Sequence, residues 1–336
     1  KATAAEFNPI HYDAEAWAEA ALQAGVQYVV ITAKHHDGFA LFDTHYSDWS
    51  VTRHSKYGKD LIKPLADACK KRGIRFGLYY SQAIDWVNGG AQSKGKFETV
   101  GWEPVNMDDY LKRISLPQSR EILENYQPDI IWWDMPVDMS PERAAPFNAL
   151  LAQYPHILSN NRLGGGHSGD FGTYEQVIPA RPELSSLWES CMTMNRTWGF
   201  RSTDHHWKST EALLHNLIGS VSKGGNFLLN IGPDGSGNIP AASLERLAQM
   251  GHWLKANGES IYGTGPTPFL FQQAWTGAAT QRADGGDTLI YLHVYDWPKD
   301  QKLQVLGIQT EGSTAALLTA PAQALPLQRN NAGLLI

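Results

Sequence analysis

Across its first two-thirds the chain alternates short apolar runs with helical patterns, and this order is the strongest constraint on its fold. Tyr28-Val-Val-Ile-Thr-Ala33, Phe76-Gly-Leu-Tyr-Tyr-Ser81, residues 130–135, Ile157-Leu-Ser-Asn160, Ser186-Leu-Trp-Glu-Ser-Cys191 and Asn226-Phe-Leu-Leu-Asn-Ile231 read as strands. The most apolar of these suit strands covered on both faces. Between them, helices are predicted over 13–24, 61–71, 107–126, 141–153 and 210–221, with another over 241–256. Asp13 is placed to cap the first and Gly25 to close it. Pro117 is expected to interrupt the third, and Pro141 suits the first turn of the fourth. Repeated β-then-α order with short connections dictates parallel strands joined by right-handed crossovers. Six or seven such strands fit a (β/α) barrel short by one unit, or an open doubly wound sheet. No Gly-x-Gly-x-x-Gly follows the first strand, and Gly164-Gly-Gly166 lacks the Lys-Ser/Thr of a phosphate loop.

The pattern changes after Gly263-Thr-Gly-Pro-Thr-Pro268. Asp287-Thr-Leu-Ile-Tyr-Leu-His-Val-Tyr295 is a clear strand, and short β-prone segments continue to Leu335. The expected organisation is therefore a barrel domain over 1–264 followed by a small β-sandwich over 265–336. The net charge of −6 gives no support to nucleic-acid or anionic-membrane binding. No apolar run approaches the length of a membrane helix. Lys1-Ala-Thr-Ala-Ala-Glu6 is not a signal peptide. The two cysteines, Cys69 and Cys191, exclude a disulfide framework and have no metal-type spacing.

Chemistry is expected at the C-terminal ends of the strands. Pro128-Asp-Ile-Ile-Trp-Trp-Asp134-Met135 carries four large apolar residues straight into one carboxylate. A charge at such a place is rarely left unpaired. Two indoles beside it, in a chain with 12 Trp and 13 Tyr, fit stacking on sugar C–H surfaces. Lys34-His35-His36-Asp37-Gly38-Phe39 follows the first strand directly. Adjacent histidines on an extended segment point opposite ways, which disfavours both binding one ion and favours recognition of ligand hydroxyls. Of Tyr79 and Tyr80, alternation sends one inward, where it could cover a ligand. Ser159-Asn160-Asn161-Arg162 ends a further strand, and a permanently charged Arg162 there could hold a carboxylate or ring oxygens. Two glutamates compete for the role of proton donor. Glu175 is placed in a loop and Glu189 on a strand, and a retaining glycosidase needs a second carboxyl about 5–5.5 Å from its nucleophile.

Together these segments resemble the α-L-fucosidases of glycoside hydrolase family 29, over about Phe7 to Gly265. The resemblance rests on Phe7-Asn-Pro, the run at 34–39, Gly77-Leu-Tyr-Tyr-Ser81 with Asp85-Trp86, Trp132-Trp133-Asp134, and Asn161-Arg162. Trp188-Glu189, Thr197-Trp198-Gly199-Phe200, the run from Val221 to Pro233, Trp253-Leu and Asn257-Gly-Glu-Ser-Ile-Tyr262 continue it in order. It implies an irregular (β/α) barrel followed by a β-sandwich, and hydrolysis of terminal α-L-fucosides with retention. Asp134 would be the nucleophile. His35, His36, Tyr79, Trp132 and Arg162 would contact fucose, and Trp198 would pack near its methyl group. Glu175 is favoured as acid/base, with Glu189 as the alternative. No cofactor or metal is expected, and the partners would be fucosylated glycans. A secreted or periplasmic location is also implied. The resemblance further implies an aromatic-rich first strand with a fucose-binding His upstream of Phe7, where nothing precedes Lys1. A barrel lacking that strand is expected to cover its open edges by rearrangement or self-association. Two rival readings are a non-catalytic sugar-binding barrel and a metal-dependent sugar isomerase using His35, His36 and Asp37.

Overall fold

The computed structural model describes residues 2–92, 106–308 and 311–336. They divide into two compact units. The first comprises Lys1–Thr173, Asn195–Trp207 and Asn230–Ala248; the second comprises Tyr174–Met194, Lys208–Leu229 and Gln249–Ile336.

The first unit is built on β1 (Tyr28–Lys34), β2 (Arg75–Tyr80), β3 (Ile130–Trp133) and β4 (Leu158–Ser159), which form one sheet in chain order. All three pairings are parallel, as the alternation with helices requires. Helices Ile62–Lys71 and Pro141–Leu151 lie in two of the crossovers. Asp13 caps Ala14–Gln23 by accepting from the Ala16 N–H at 3.0 Å. The break expected at Pro117 takes another form. The chain stays helical from Met107 to Tyr126, with a π-helical stretch at Leu111–Ser115 and Pro117 in the first turn of Leu116–Tyr126. The wider turn absorbs the ring and the missing N–H without ending the helix. The apolar core includes Leu78, Tyr80, Ile131, Trp133, Ile62, Leu65 and Phe147.

Two irregularities shape the sheet's C-terminal end. Between Thr32 and Lys34 the β1–β2 register slips, so that Tyr79 faces Thr32 and Tyr80 faces Lys34. This bulge turns Lys34 into the interior beside Tyr80. β3 stops at Trp133, and Met135 takes a left-handed conformation with φ 53°. Asp134 therefore lies one residue past the strand rather than within it.

In the second unit, β5 (Gly172–Glu175), β6 (Trp188–Thr193) and β7 (Asn226–Asn230), which run partly into the first, form a three-stranded sheet. Glu175 ends β5, so it lies on a short strand and not in a loop. Beyond Gly265 the described strands pair antiparallel. β8 (Gly277–Asp284) and β9 (Asp287–Val294) form a hairpin closed by Gly285 and Gly286. β10 (Gln304–Leu306) pairs with a C-terminal strand at Gly333–Leu335, which in turn pairs with Gln328–Asn330. Their core is small, with Trp275, Leu303, Val305 and Leu334 buried.

Candidate active site

The ends of β1, β2 and β3, with the loop after β4, bring six of the predicted residues together. Tyr79 and Trp132 are register partners on neighbouring strands, so their side chains leave the same face. Their rings stack at 5.5 Å and 20°. His35 stacks on the other side of Tyr79 at 5.4 Å and 7°. The Arg162 guanidinium lies over Trp132, 4.7 Å from the ring centroid. The result is a continuous wall in the order His35, Tyr79, Trp132, Arg162.

Asp134 stands against this wall. Arg162 donates from Nη1 to its Oδ1 at 2.9 Å, and the Tyr79 hydroxyl donates to its Oδ2 at 2.5 Å. Its side chain is 12% exposed. A carboxylate so enclosed is tolerable because both oxygens receive charge-assisted or short hydrogen bonds. Arg162 is itself held by Nε, which donates to Thr173 Oγ1 at 2.7 Å.

The two histidines lie differently from the sequence expectation. Their ring centroids are 4.0 Å apart, and one ligand atom from each lies with an Asp134 oxygen inside a 4.8 Å cluster. The reason is that β1 ends at Lys34. The chain then turns, closed by the Gly38 N–H on the His35 carbonyl at 3.0 Å. Strand alternation no longer applies. Gly38 has φ +74°, and a Cβ there would meet Asp85 Oδ1 at 2.1 Å, so only glycine lets the turn close on that carboxylate. Asp85 forms a buried ion pair with Lys34 at 3.0 Å, and Lys34 also donates to the Tyr110 hydroxyl at 2.5 Å. Burial pushes the Lys34 pKa down, and the Asp85 charge opposes that shift.

Ser81 settles which nitrogen of His36 carries hydrogen. The Ser81 hydroxyl donates to the Ile84 carbonyl at 2.9 Å. It must therefore accept from His36 Nδ1, 2.8 Å away. Nε2 then offers a lone pair, 3.8 Å from Asp134 Oδ2. Burial pushes the His36 pKa down to about 4, and the neighbouring His35 adds to the effect. Loss of hydration lowers His35 too, although the residue is exposed. Both rings are thus neutral near pH 7; His36 can accept from a ligand hydroxyl through Nε2, and His35 has one donor and one acceptor nitrogen.

A cation could in principle use His35, His36 and Asp134. However, Arg162 and Tyr79 already donate to the two Asp134 oxygens, and the guanidinium would repel a metal ion at that distance. The arrangement fits a neutral polyol with one apolar face better than it fits a metal.

Trp198 is 40% exposed on the 195–207 segment. Glu175 is exposed at the end of β5, whereas Glu189 is 3% exposed within β6. Sequence reasoning missed Ser81, Gln82 and the structural use of Asn160. The available signal was a polar residue immediately after each apolar strand.

A family model described as Alpha-L-fucosidase matches residues 1–259. Plasma alpha-L-fucosidase of Homo sapiens is 32% identical over 283 residues, covering 77% of this chain and 58% of the human protein. The chain thus spans less than two-thirds of that relative's length. An alpha-L-fucosidase of Branchiostoma floridae is 31% identical over 345 residues, covering 97% of this chain and 72% of the relative. Among solved structures, the alpha-fucosidase of Thermotoga maritima in complex with fucose is 28% identical with a TM-score of 0.80. Its complex with a mechanism-based inhibitor is 27% identical with a TM-score of 0.84. Both alignments cover 99% of this chain and 76% of the other. The aromatic wall and enclosed carboxylate accordingly sit in a chain that belongs to the alpha-L-fucosidase family.

Proposed function

We propose that this chain hydrolyses terminal α-L-fucosides with retention of configuration, through a covalent fucosyl–enzyme on Asp134. The observation that carries the reading is the Asp134 carboxylate, hydrogen-bonded by Arg162 and Tyr79 at the end of the stacked wall. Asp134 attacks the anomeric carbon as the bond to the leaving oxygen breaks and the acid/base donates a proton to that oxygen. In the second step the acid/base takes a proton from water, the water oxygen bonds to the anomeric carbon, and Asp134 is released. His36 Nε2 and His35 bind fucose hydroxyls, and the Trp132 and Tyr79 rings line the pocket. Trp198 is proposed to pack near the sugar's methyl group.

Glu175 is the preferred acid/base. A proton donor must meet both the leaving group and water, and Glu175 is exposed where Glu189 is buried. The proposed architecture is a (β/α) barrel over 1–264 and a β-sandwich over 265–336, supported by the parallel sheet and the antiparallel C-terminal strands. The test is turnover of para-nitrophenyl α-L-fucoside with and without EDTA. Activity that survives the chelator is expected, and loss on chelation would overturn the metal-free mechanism. Glu175→Ala should retain more activity on the aryl fucoside than on a natural fucosylated glycan, because an activated leaving group needs little protonation. If Glu189→Ala shows that selectivity and Glu175→Ala does not, the assignment passes to Glu189.

A further inference from the structure

The backbone that carries Asp134 has lost its strand partners. The β2–β3 ladder ends at Tyr80 with Trp133, and the β3–β4 ladder ends at Ile131 with Ser159. The amides of 133 and 134 lie in a buried stretch, where polar groups need partners. Two side-chain carboxamides supply them. Asn160 Oδ1 accepts from the Trp133 N–H at 3.0 Å, and its Nδ2 donates to the Trp133 carbonyl at 2.9 Å. Gln82 Oε1 accepts from the Asp134 N–H at 3.0 Å. Gln82 Nε2 donates to the carbonyls of Arg162 at 2.8 Å and Leu163 at 3.2 Å. Both residues are fully buried, so bulk water cannot replace either set of bonds.

Gln82 therefore touches the backbones of both residues whose side chains form the 2.9 Å Asp134–Arg162 contact. We propose that Gln82, with Asn160 on the opposite flank, is a positioning residue that fixes the carboxylate against the guanidinium. The bonds of both side chains given above go to main-chain atoms, and each acts through the main chain of Asp134 or its neighbour. A carboxamide is required at position 82 because the site needs one acceptor and two donors at once, which neither a carboxylate nor a hydroxyl supplies. The inference rests on the proposed role of Asp134.

The test uses two variants of near-native length. Gln82→Met removes all three bonds and keeps the volume. Gln82→Glu keeps the acceptor, loses both donors, and places a second negative charge beside Asp134. Misplacement of a reacting group by about 1 Å lowers turnover by about 100-fold, so Gln82→Met should lose about 10- to 100-fold in kcat while KM changes less than about threefold. In Gln82→Glu the carbon-13 chemical shift of the Asp134 carboxyl should move against wild type, because the loss of both donors releases the Arg162 and Leu163 carbonyls. The proposal is overturned if folded variants keep kcat within about twofold of wild type, or if the whole loss lies in KM. It is equally overturned if neither variant folds, since the role is then support of the fold. An inactive wild type would count against the proposed function alone, because the NMR comparison still reads the carboxylate's setting.

Discussion

The C-terminal ends of β1–β3 and the strands beyond Gly265 are stabilised by opposite means. In the first region charges are taken out of water and paired: Lys34 with Asp85, both fully buried, and Asp134 with Arg162. In the second, the buried cluster is four apolar side chains, and the Arg282–Glu259 ion pair stays in solvent. Burying an ion pair seldom improves stability over an apolar core. We propose that the first region does so to hold groups in place for chemistry. The second region has the composition of a structural element.

The largest effect that could break this contrast is at Asp134. Asp134→Ala should lower kcat by about four orders of magnitude or more, as expected for loss of a nucleophile, with the fold retained. Azide should restore turnover and yield a fucosyl azide of inverted anomeric configuration. Near-normal turnover of an aryl fucoside by this variant would remove the nucleophile from the proposal.

A paired comparison comes next. Lys34→Met removes the counter-ion of the buried Asp85, which keeps its bonds from Val87 and Asn88, and should cost about 3–5 kcal/mol. Leu334→Ala opens a cavity in the small apolar core and should cost about 2–5 kcal/mol. Denaturant unfolding reads both. The two should part in turnover per folded molecule. Lys34→Met should lower it, because the pair with Asp85 anchors the turn that presents His35 and His36; Leu334→Ala should leave it unchanged. Equal turnover in both variants would mean that the buried ion pair serves the fold alone.

The same contrast governs what the sequence made legible. The parallel sheet and Asp134 could be found because a long apolar run ending in one carboxylate has few structural solutions. Alternation left Tyr79 and Tyr80 undecided, and Tyr79 and Trp132 were singled out by the family resemblance. The histidine pair was misjudged because alternation was applied one residue beyond the strand's end, where a glycine turn takes over. Gln82 and Asn160 escaped notice because a carboxamide that pairs with backbone is recognisable only once the returning loops are known. Glu175 and Glu189 differ in burial rather than in local pattern, and the sequence does not display that difference. Trp198 entered through family resemblance alone, and its exposed position is consistent with there being no apolar pattern around it.

The smallest expected effect is in pH dependence, and here the two regions share a device. His293 on β9 is 8% exposed, lies 3.3 Å from the Thr280 hydroxyl, and is tilted against Trp253. Burial pushes its pKa down to about 4, as it does for His36. For a base held neutral in the fold, the unfolded chain binds the extra proton first. Stability is therefore full above the unfolded value of about 6.5 and declines as pH falls from there towards 4. Asp204 and Asp234, whose pKa values are lowered by hydrogen bonds despite partial desolvation, lose their contribution only below the ordinary carboxylate value, so the windows are separable. His293→Gln keeps a donor and an acceptor but cannot charge. It should flatten part of the decline in melting temperature between pH 6.5 and 4 and leave fucoside turnover at pH 7 unchanged. The part that remains is shared by His36, His35 and His167, whose pKa values burial also lowers. Identical pH slopes for wild type and His293→Gln would confine acid sensitivity to the sheet that carries Asp134 and remove the shared device from the C-terminal strands.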